Sequence, residues 1–168
     1  MLNLPLLLTY ARIAMIPLVV GVFYVPETWL SGHGKNMVGA LVFAVAALTD
    51  WFDGWLARRN GQETRLGAFL DPVADKLMVS AALLVLLEHG RVGTFVALII
   101  IGREIAVSAL REWMAQIGAS ASVAVNWLGK IKTAAQMLAI CFLLYFDPLF
   151  GVLPVYGLGL VLIYVAAV

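Results

Sequence analysis

The chain has 168 residues, of which 63% are hydrophobic and 12% charged, and its formal net charge is +1. So few charges leave too little polar surface for a water-soluble domain of this length, and the near-neutral balance excludes a basic surface for nucleic acid. The single cysteine, Cys141, excludes a disulfide framework and a cysteine-built metal site. We therefore expect one integral membrane domain spanning residues 1–168.

Six apolar stretches predict membrane-spanning helices, each of which needs about 20 mainly apolar residues. In chain order they are residues 4–24, 37–56, 70–87, 92–110, 125–146 and 152–168. Turn signals such as Pro26, Gly90 and the Asp147-Pro148 pair separate them. The last stretch is still apolar at Val168, so we expect the natural protein to continue beyond it. The predicted fold class is an all-α membrane protein with six transmembrane helices.

Basic residues are concentrated on one side of the predicted bundle. The loops after the second and fourth spans carry or adjoin Arg58, Arg59, Arg65, Arg111, Lys130 and Lys132, whereas the opposite side has Lys35 and Arg91. Cytoplasmic loops carry the excess of Lys and Arg in membrane proteins. Both termini are therefore predicted to be cytoplasmic.

Ionisable residues inside the spans are also segregated to that side. Such groups are costly in a membrane and are usually functional. With the predicted orientation, all of them fall in the cytoplasmic halves of their helices: Arg12, Asp50, Asp53, Asp71, Asp75, Lys76, Arg103, Glu104, Lys130 and Lys132. This distribution predicts one polar cavity that opens to the cytoplasm.

Four aspartates form the most informative pattern within this set. Asp50 and Asp53 are three residues apart, and Asp71 and Asp75 are four apart, so each pair shares a helix face. Reflection about the turn between the two helices sets Asp50 opposite Asp75 and Asp53 opposite Asp71. At about 1.5 Å of rise per residue, the two levels are roughly 5 Å apart. We expect four carboxylates to face one another.

Such a cluster cannot remain fully ionised without compensation. Like charges at about 4 Å repel by roughly 4 kcal/mol even at an effective dielectric constant of about 20. Either some carboxylates are protonated and merely hold helices together, or cations lie among them. Oxygen ligands favour Mg²⁺, Mn²⁺ or Ca²⁺ over zinc, and two such metals can clamp a phosphoryl group during transfer. Small residues beside the aspartates, Gly54, Ala57 and Gly67, would allow a ligand or a helix to approach closely.

Together these residues form the pattern Asp50-x2-Asp53-Gly54-x2-Ala57-Arg58-x8-Gly67-x3-Asp71-x3-Asp75. The pattern resembles the signature of the CDP-alcohol phosphotransferase family at every position. The resemblance implies a six-helix membrane fold, usually dimeric, with a cytoplasm-facing site for a CDP-linked donor. It also implies that the four aspartates surround two metals, that Gly54, Ala57 and Arg58 border the CDP moiety together with Gly67, and that Asp75 is the general base.

The likeness extends to residues 3–12, 49–59, 65–76, 103–114 and 122–137, which cover most of the chain. These segments resemble a bacterial branch of the family, located in the inner membrane, that uses CDP-diacylglycerol as donor and glycerol 3-phosphate as acceptor. The implied products are phosphatidylglycerophosphate and CMP. Magnesium or manganese is the implied cofactor, and membrane lipids and a second copy of the chain are the implied partners.

Basic residues at the depth of the aspartates suit a phosphorylated acceptor. Arg offers phosphate a bidentate fork, and Lys offers a point charge. The candidates for binding the acceptor phosphate are Arg103, Arg111, Lys130, Lys132 and Thr133. Alternatively, Arg103 pairs with an acidic neighbour such as Glu104, and the others extend towards lipid headgroups.

Thr9 and Arg12 enter the predicted cavity from the first span. We expect them to contact the phosphates or ribose of the donor, or else to anchor the first helix.

Two other interpretations stay open. The first is the same chemistry with serine, inositol phosphate or phosphatidylglycerol as acceptor, although a free amino acid would not require the cluster of basic residues. The second is a divalent-cation or proton transporter, for which intramembrane carboxylates are also suited. A transporter predicts polar residues through the outer half of the spans, and the sequence has none there.

Overall fold

The computed structural model describes residues 4–60, 65–117, 127–148 and 154–167, with the side chains of 4–6, 50–60, 65, 66, 68, 127, 128 and 130 outside that description. All regular secondary structure in these ranges is helical, as predicted. The helices are α1 (Leu4–Tyr24), α2 (Gly32–Asn60), α3 (Arg65–Glu88), α4 (Thr94–Gln116), α5 (Trp127–Tyr145) and α6 (Val155–Ala167).

The helix bounds follow the apolar stretches closely but not completely. α1 has the predicted bounds, whereas α2 and α3 extend beyond the predicted spans at both ends. α4 continues past the predicted end of its span to Gln116 and so includes Arg111 and Glu112. The reason is that hydropathy marks the apolar part of a helix, whereas the backbone hydrogen bonds continue into polar sequence.

One helix in the described part of the chain, Leu7–Tyr24 within α1, is both long and apolar enough to cross a membrane. Shorter apolar helices occupy Ile131–Tyr145 and Val155–Ala167. Large apolar side chains are nevertheless exposed on several helices, and Phe95 of α4 is 81% exposed. Water-soluble monomers rarely present extensive apolar surface, and lipid tails would cover such side chains without cost.

The packing of the helices places α3 in the middle of the bundle. α3 contacts α1, α2, α4 and α5, and α5 also packs against α2 and α6. Fully buried apolar side chains fill the space between them, including Phe43 of α2, Leu83 of α3 and Ile140 of α5. This arrangement surrounds the aspartates of α3 with residues of α1, α4 and α5.

The chain reverses its direction in a tight turn at the end of α3. Gly90 has a φ of +67°, and its N–H donates to the carbonyl of Leu87 at 3.0 Å. The N–H of Arg91 donates to the carbonyl of Leu86 at 2.8 Å. These are the two bonds of a Schellman end, which needs a left-handed residue that glycine adopts without strain. The turn directs Arg91 into the bundle, at the opposite end of α3 from Asp71 and Asp75.

Arg91 binds several residues at this opposite end of α3. Its guanidinium donates to the carbonyls of Leu143 and Leu144 at 3.2 and 2.8 Å and to Asn36 Oδ1 at 2.5 Å. It also lies over the ring of Phe146, 4.5 Å from the centroid. Burial lowers the pKa of Arg91, which still carries its charge because arginine is not deprotonated in proteins. The sequence by itself marked Arg91 only as a basic residue on the side of the bundle opposite the aspartates.

Candidate active site

The first half of α3 borders a polar cavity of about 340 Å³ that it shares with α4 and α5. We call it the aspartate cavity. The residues of its wall are Asp71, Pro72, Asp75, Lys76, Val79, Glu104, Arg111, Thr133, Gln136 and Met137. Carboxylates, cations and neutral polar groups from α3, α4 and α5 therefore border one space.

Asp71 and Asp75 present their carboxylates on the same face of α3, one turn apart. Their side chains are 42% and 35% exposed. Oδ1 of each lies within 4 Å of the same nitrogen, Arg12 Nη1, at 3.9 Å for Asp71 and 3.4 Å for Asp75. The spacing of four residues thus brings the two carboxylates to one point, as a helical period requires.

Helix α1 supplies the groups that hold these carboxylates. Thr9 Oγ1 donates to Asp71 Oδ1 at 2.6 Å, and Arg12 Nη1 donates to Asp75 Oδ1 at 3.4 Å. Thr9 and Arg12 are each only 1% exposed. A buried guanidinium requires charged or polar acceptors, and here the aspartates of α3 are among them. α1 therefore forms the wall behind Asp71 and Asp75.

The other half of the predicted aspartate cluster belongs to α2. Asp50, Asp53, Gly54, Ala57 and Arg58 all lie in this helix, but their side chains are outside the described residues. The predicted reflection of Asp50 onto Asp75 and of Asp53 onto Asp71 therefore stays a prediction. Gly67 is described, and it is buried in the first turn of α3.

The described side chains fit part of a site for a hard divalent cation. Asp71 and Asp75 provide carboxylate oxygens at the edge of a cavity, which are the ligands that Mg²⁺ and Mn²⁺ prefer. The described residues contain no group of three or more His, Cys, Asp or Glu side chains that could hold a metal. The additional oxygens would come from α2, at Asp50 and Asp53.

The basic part of the cavity wall comes from α3 and α4. Lys76 Nζ donates to Ser108 Oγ and so connects α3 to α4. Arg111 is exposed at the cavity edge, about two turns after Arg103 on α4. Thr133 of α5 also lines the wall, and its hydroxyl donates to the carbonyl of Gly129 at 2.9 Å. A cationic region is thus adjacent to the carboxylates.

The other residues that were predicted to bind the acceptor phosphate are not among the described residues of the cavity wall. Arg103 Nη2 donates to Glu104 Oε1 at 2.9 Å and to Gln136 Oε1 at 2.8 Å, so Arg103 stands behind two residues that do line the cavity. Pairing with Glu104 is the alternative that the sequence analysis left open for Arg103. Lys132 is half-buried and outside the described lining, and the side chain of Lys130 is outside the described residues.

Gln136 is the cavity residue that sequence reasoning missed. Gln136 is an uncharged amide within the apolar sequence AAQMLAI, so it does not stand out there as an ionisable group would. A signal was nevertheless present, because a buried polar side chain in an apolar helix needs a partner. The partner here is Arg103, from the neighbouring helix α4.

A helical bundle with paired carboxylates and adjacent cations bordering one cavity is the arrangement expected of a phosphotransferase. A model of the CDP-alcohol phosphatidyltransferase family matches residues 2–168. The chain therefore belongs to this family, and the predicted resemblance is confirmed.

Curated relatives are similar over almost the whole chain. Proteins named CDP-diacylglycerol–glycerol-3-phosphate 3-phosphatidyltransferase, from Salmonella choleraesuis (strain SC-B67) and Escherichia coli (strain K12), are each 51% identical to it over 168 residues. The comparison covers 99% of this chain and 87% of each relative. The family and these relatives are enzymes that transfer a phosphatidyl group.

Proposed function

We propose that this chain transfers the phosphatidyl group of CDP-diacylglycerol to the hydroxyl of sn-glycerol 3-phosphate, giving phosphatidylglycerophosphate and CMP. The observation that carries the proposal is the cavity that Asp71 and Asp75 share with Lys76 and Arg111. Carboxylates suit metals for the donor diphosphate, and adjacent cations suit an acceptor with its own phosphate. The printed name of relatives that are 51% identical supports the same donor and acceptor.

The proposed setting is the bacterial inner membrane. The helices would cross it six times as a single domain, with both termini and the aspartate cavity on the cytoplasmic side, and two copies would form a homodimer. The positions of Lys and Arg in the sequence support the orientation. The exposed apolar side chains of the described helices support contact with lipid.

The donor would bind at the carboxylate end of the cavity. We assign Asp50, Asp53, Asp71 and Asp75 as ligands of Mg²⁺ or Mn²⁺, with up to two ions in the site. The metal would supply charge neutralisation to the diphosphate and to the departing CMP. Gly54, Ala57, Arg58 and Gly67 would border the CDP moiety. Arg12 and Thr9 would hold the carboxylates in place and lie close to the donor phosphates.

In the proposed reaction, the acceptor hydroxyl attacks the phosphorus of the phosphatidyl group. The new P–O bond forms as the bond to the CMP oxygen breaks, and CMP leaves with the electron pair of that bond. Asp75 would accept the proton of the attacking hydroxyl. Phosphoryl transfer depends mainly on positioning and on charge neutralisation. Placing donor and acceptor in one cavity would meet the first requirement.

The acceptor phosphate would lie against the basic part of the wall. Arg111 and Lys76 border the cavity directly, and Thr133 adds a polar group from α5. We propose that Arg103, Lys130 and Lys132 add positive electrostatic potential around the acceptor phosphate. Charges in a region of lowered dielectric act over several ångströms without direct contact.

The test is release of CMP by the purified full-length chain in mixed micelles with CDP-diacylglycerol and Mg²⁺. Glycerol 3-phosphate, serine, inositol phosphate and phosphatidylglycerol are supplied in separate reactions. We expect rapid CMP release with glycerol 3-phosphate only, and its loss when EDTA removes the metal. Release with another alcohol but not with glycerol 3-phosphate would refute the proposed acceptor. Full activity in EDTA would refute the role of the metal.

A further inference from the structure

Gln136 combines three properties that together need an explanation. It is 1% exposed, it lines the aspartate cavity, and it is hydrogen-bonded to a charged residue of another helix. Its neighbours in sequence, Ala135 and Met137, offer no polar group. A buried amide costs free energy unless its oxygen and its two N–H donors are all satisfied. Only the oxygen is accounted for by Arg103.

The bond to Arg103 determines how the amide is oriented. Arginine has five N–H donors and no acceptor, so Gln136 must direct its oxygen at Arg103 and its NH₂ group elsewhere. The bond runs from Arg103 Nη2 to Gln136 Oε1 at 2.8 Å, and the same Nη2 donates to Glu104 Oε1 at 2.9 Å. Both hydrogens of that nitrogen are thus used. Glu104 and Gln136 thus hold this end of the guanidinium, and the guanidinium in turn holds the amide.

We propose that Gln136 is a specificity-determining residue whose amide N–H groups bind an oxygen of the phosphorylated acceptor, and that Arg103 is the positioning residue that orients it. The inference rests on the proposed function. A hydrogen bond from a cationic donor polarises the amide and strengthens its N–H groups as donors. Water would satisfy them in the empty cavity, and an acceptor oxygen would replace that water. A site with such a donor discriminates against alcohols that place no hydrogen-bond acceptor at this position.

A purely structural explanation is that Gln136 joins α5 to α4. The two explanations differ for Gln136→Glu. A carboxylate keeps an acceptor for Arg103, so a structural link would survive or strengthen. The same substitution removes both N–H donors and adds a negative charge to the cavity, so acceptor binding would suffer.

The experiment measures CMP release and thermal unfolding of the full-length chain with Mg²⁺ in mixed micelles. KM is determined separately for glycerol 3-phosphate and CDP-diacylglycerol. We expect Gln136→Glu to raise the KM for glycerol 3-phosphate by about tenfold or more, the effect of losing a charge-assisted hydrogen bond. The KM for CDP-diacylglycerol and the unfolding temperature should stay close to those of the unsubstituted chain.

Two further variants complete the test. The Met side chain has a shape similar to that of Gln but lacks the amide group. Gln136→Met should therefore also raise the KM for glycerol 3-phosphate selectively. Leu138→Met changes an exposed apolar side chain of α5 outside the described cavity wall and should leave both KM values unchanged. Unchanged KM values with a lowered unfolding temperature in Gln136→Met would overturn the inference. Failure of the unsubstituted chain to use glycerol 3-phosphate would instead overturn the proposed function.

Discussion

Arg12 of α1 and Asp75 of α3 form a contact across the active-site cavity wall, with Arg12 Nη1 3.4 Å from Asp75 Oδ1. Arg12 is almost completely buried, whereas Asp75 is partly exposed to the cavity. The pair therefore joins the buried cation of Arg12 to the carboxylate of Asp75, which borders the cavity. α1 is therefore part of the proposed catalytic structure.

Arg12→Met should disturb this contact without changing the size of the side chain greatly. Asp71 and Asp75 would lose a positive neighbour and the group that orients them. We expect a loss of about 2 kcal/mol in stability, as for a hydrogen bond to a charged group, and a large loss of kcat/KM. CMP release and thermal unfolding in micelles measure the two effects. Tyr10→Phe, on the exposed face of the same helix, is the matched control and should change neither.

Asp75→Asn should separate catalysis from donor binding. A general base contributes about 10²–10⁴ to a rate, so we expect kcat to fall by about 10³. Binding of CDP-diacylglycerol, measured as a rise in unfolding temperature, should largely persist. Asp71→Asn provides the comparison and should weaken donor binding itself. Appreciable turnover by Asp75→Asn would remove Asp75 as the base.

Arg111→Gln should affect the acceptor and not the donor. Arg111 borders the cavity, and its guanidinium suits a phosphate. We expect the KM for glycerol 3-phosphate to rise by about tenfold, with a much smaller change for CDP-diacylglycerol. The next residue, Glu112, is exposed outside the described cavity wall, and Glu112→Gln should leave both constants unchanged. Equal effects on both substrates would contradict the role of Arg111.

The opposite end of the bundle should respond to acid through Asp147. Asn36 Nδ2 donates to its Oδ2 at 3.0 Å, and His33 lies 2.8 Å from the same oxygen. The bond from Asn36, followed by the interactions with His33 and Arg91, lowers the pKa of Asp147 below its usual 3.8. A lowered folded-state pKa stabilises the fold above the unfolded value, and that stability is lost as the pH falls through the folded pKa.

Thermal unfolding between pH 7 and pH 3 should therefore reveal this contribution. Asp147→Asn should be less stable than the unsubstituted chain near neutral pH. The difference should shrink as the pH falls below about 4, because the unsubstituted chain then loses its carboxylate. Glu27 is an exposed carboxylate that borders the same cavity as Asp147, and Glu27→Gln should leave the acid-dependent decrease in place. A constant difference across this range would contradict the account.

Much of this architecture follows from sequence because it depends on local rules. Apolar stretches of sufficient length predict helices, and all six contain one in the described ranges. The spacing of Asp71 and Asp75 predicts a shared face, since a helix repeats every 3.6 residues or so. Both side chains do border one cavity. The family signature depends on the same short-range spacing, and the match to residues 2–168 confirms it.

The tertiary structure decided which residues of neighbouring helices lie against each helix face. Arg103 and Arg111 are nearly on one face of α4, yet Arg111 lines the cavity while Arg103 binds Gln136 of α5 behind it. Arg12 meets the aspartates because α1 packs against α3. Helical periodicity determines which residues share a face, but the rotation of each helix against its neighbours determines which residue faces a cavity. The shared face of Asp71 and Asp75 was therefore predictable from sequence alone, whereas their contacts with Thr9 and Arg12 were not.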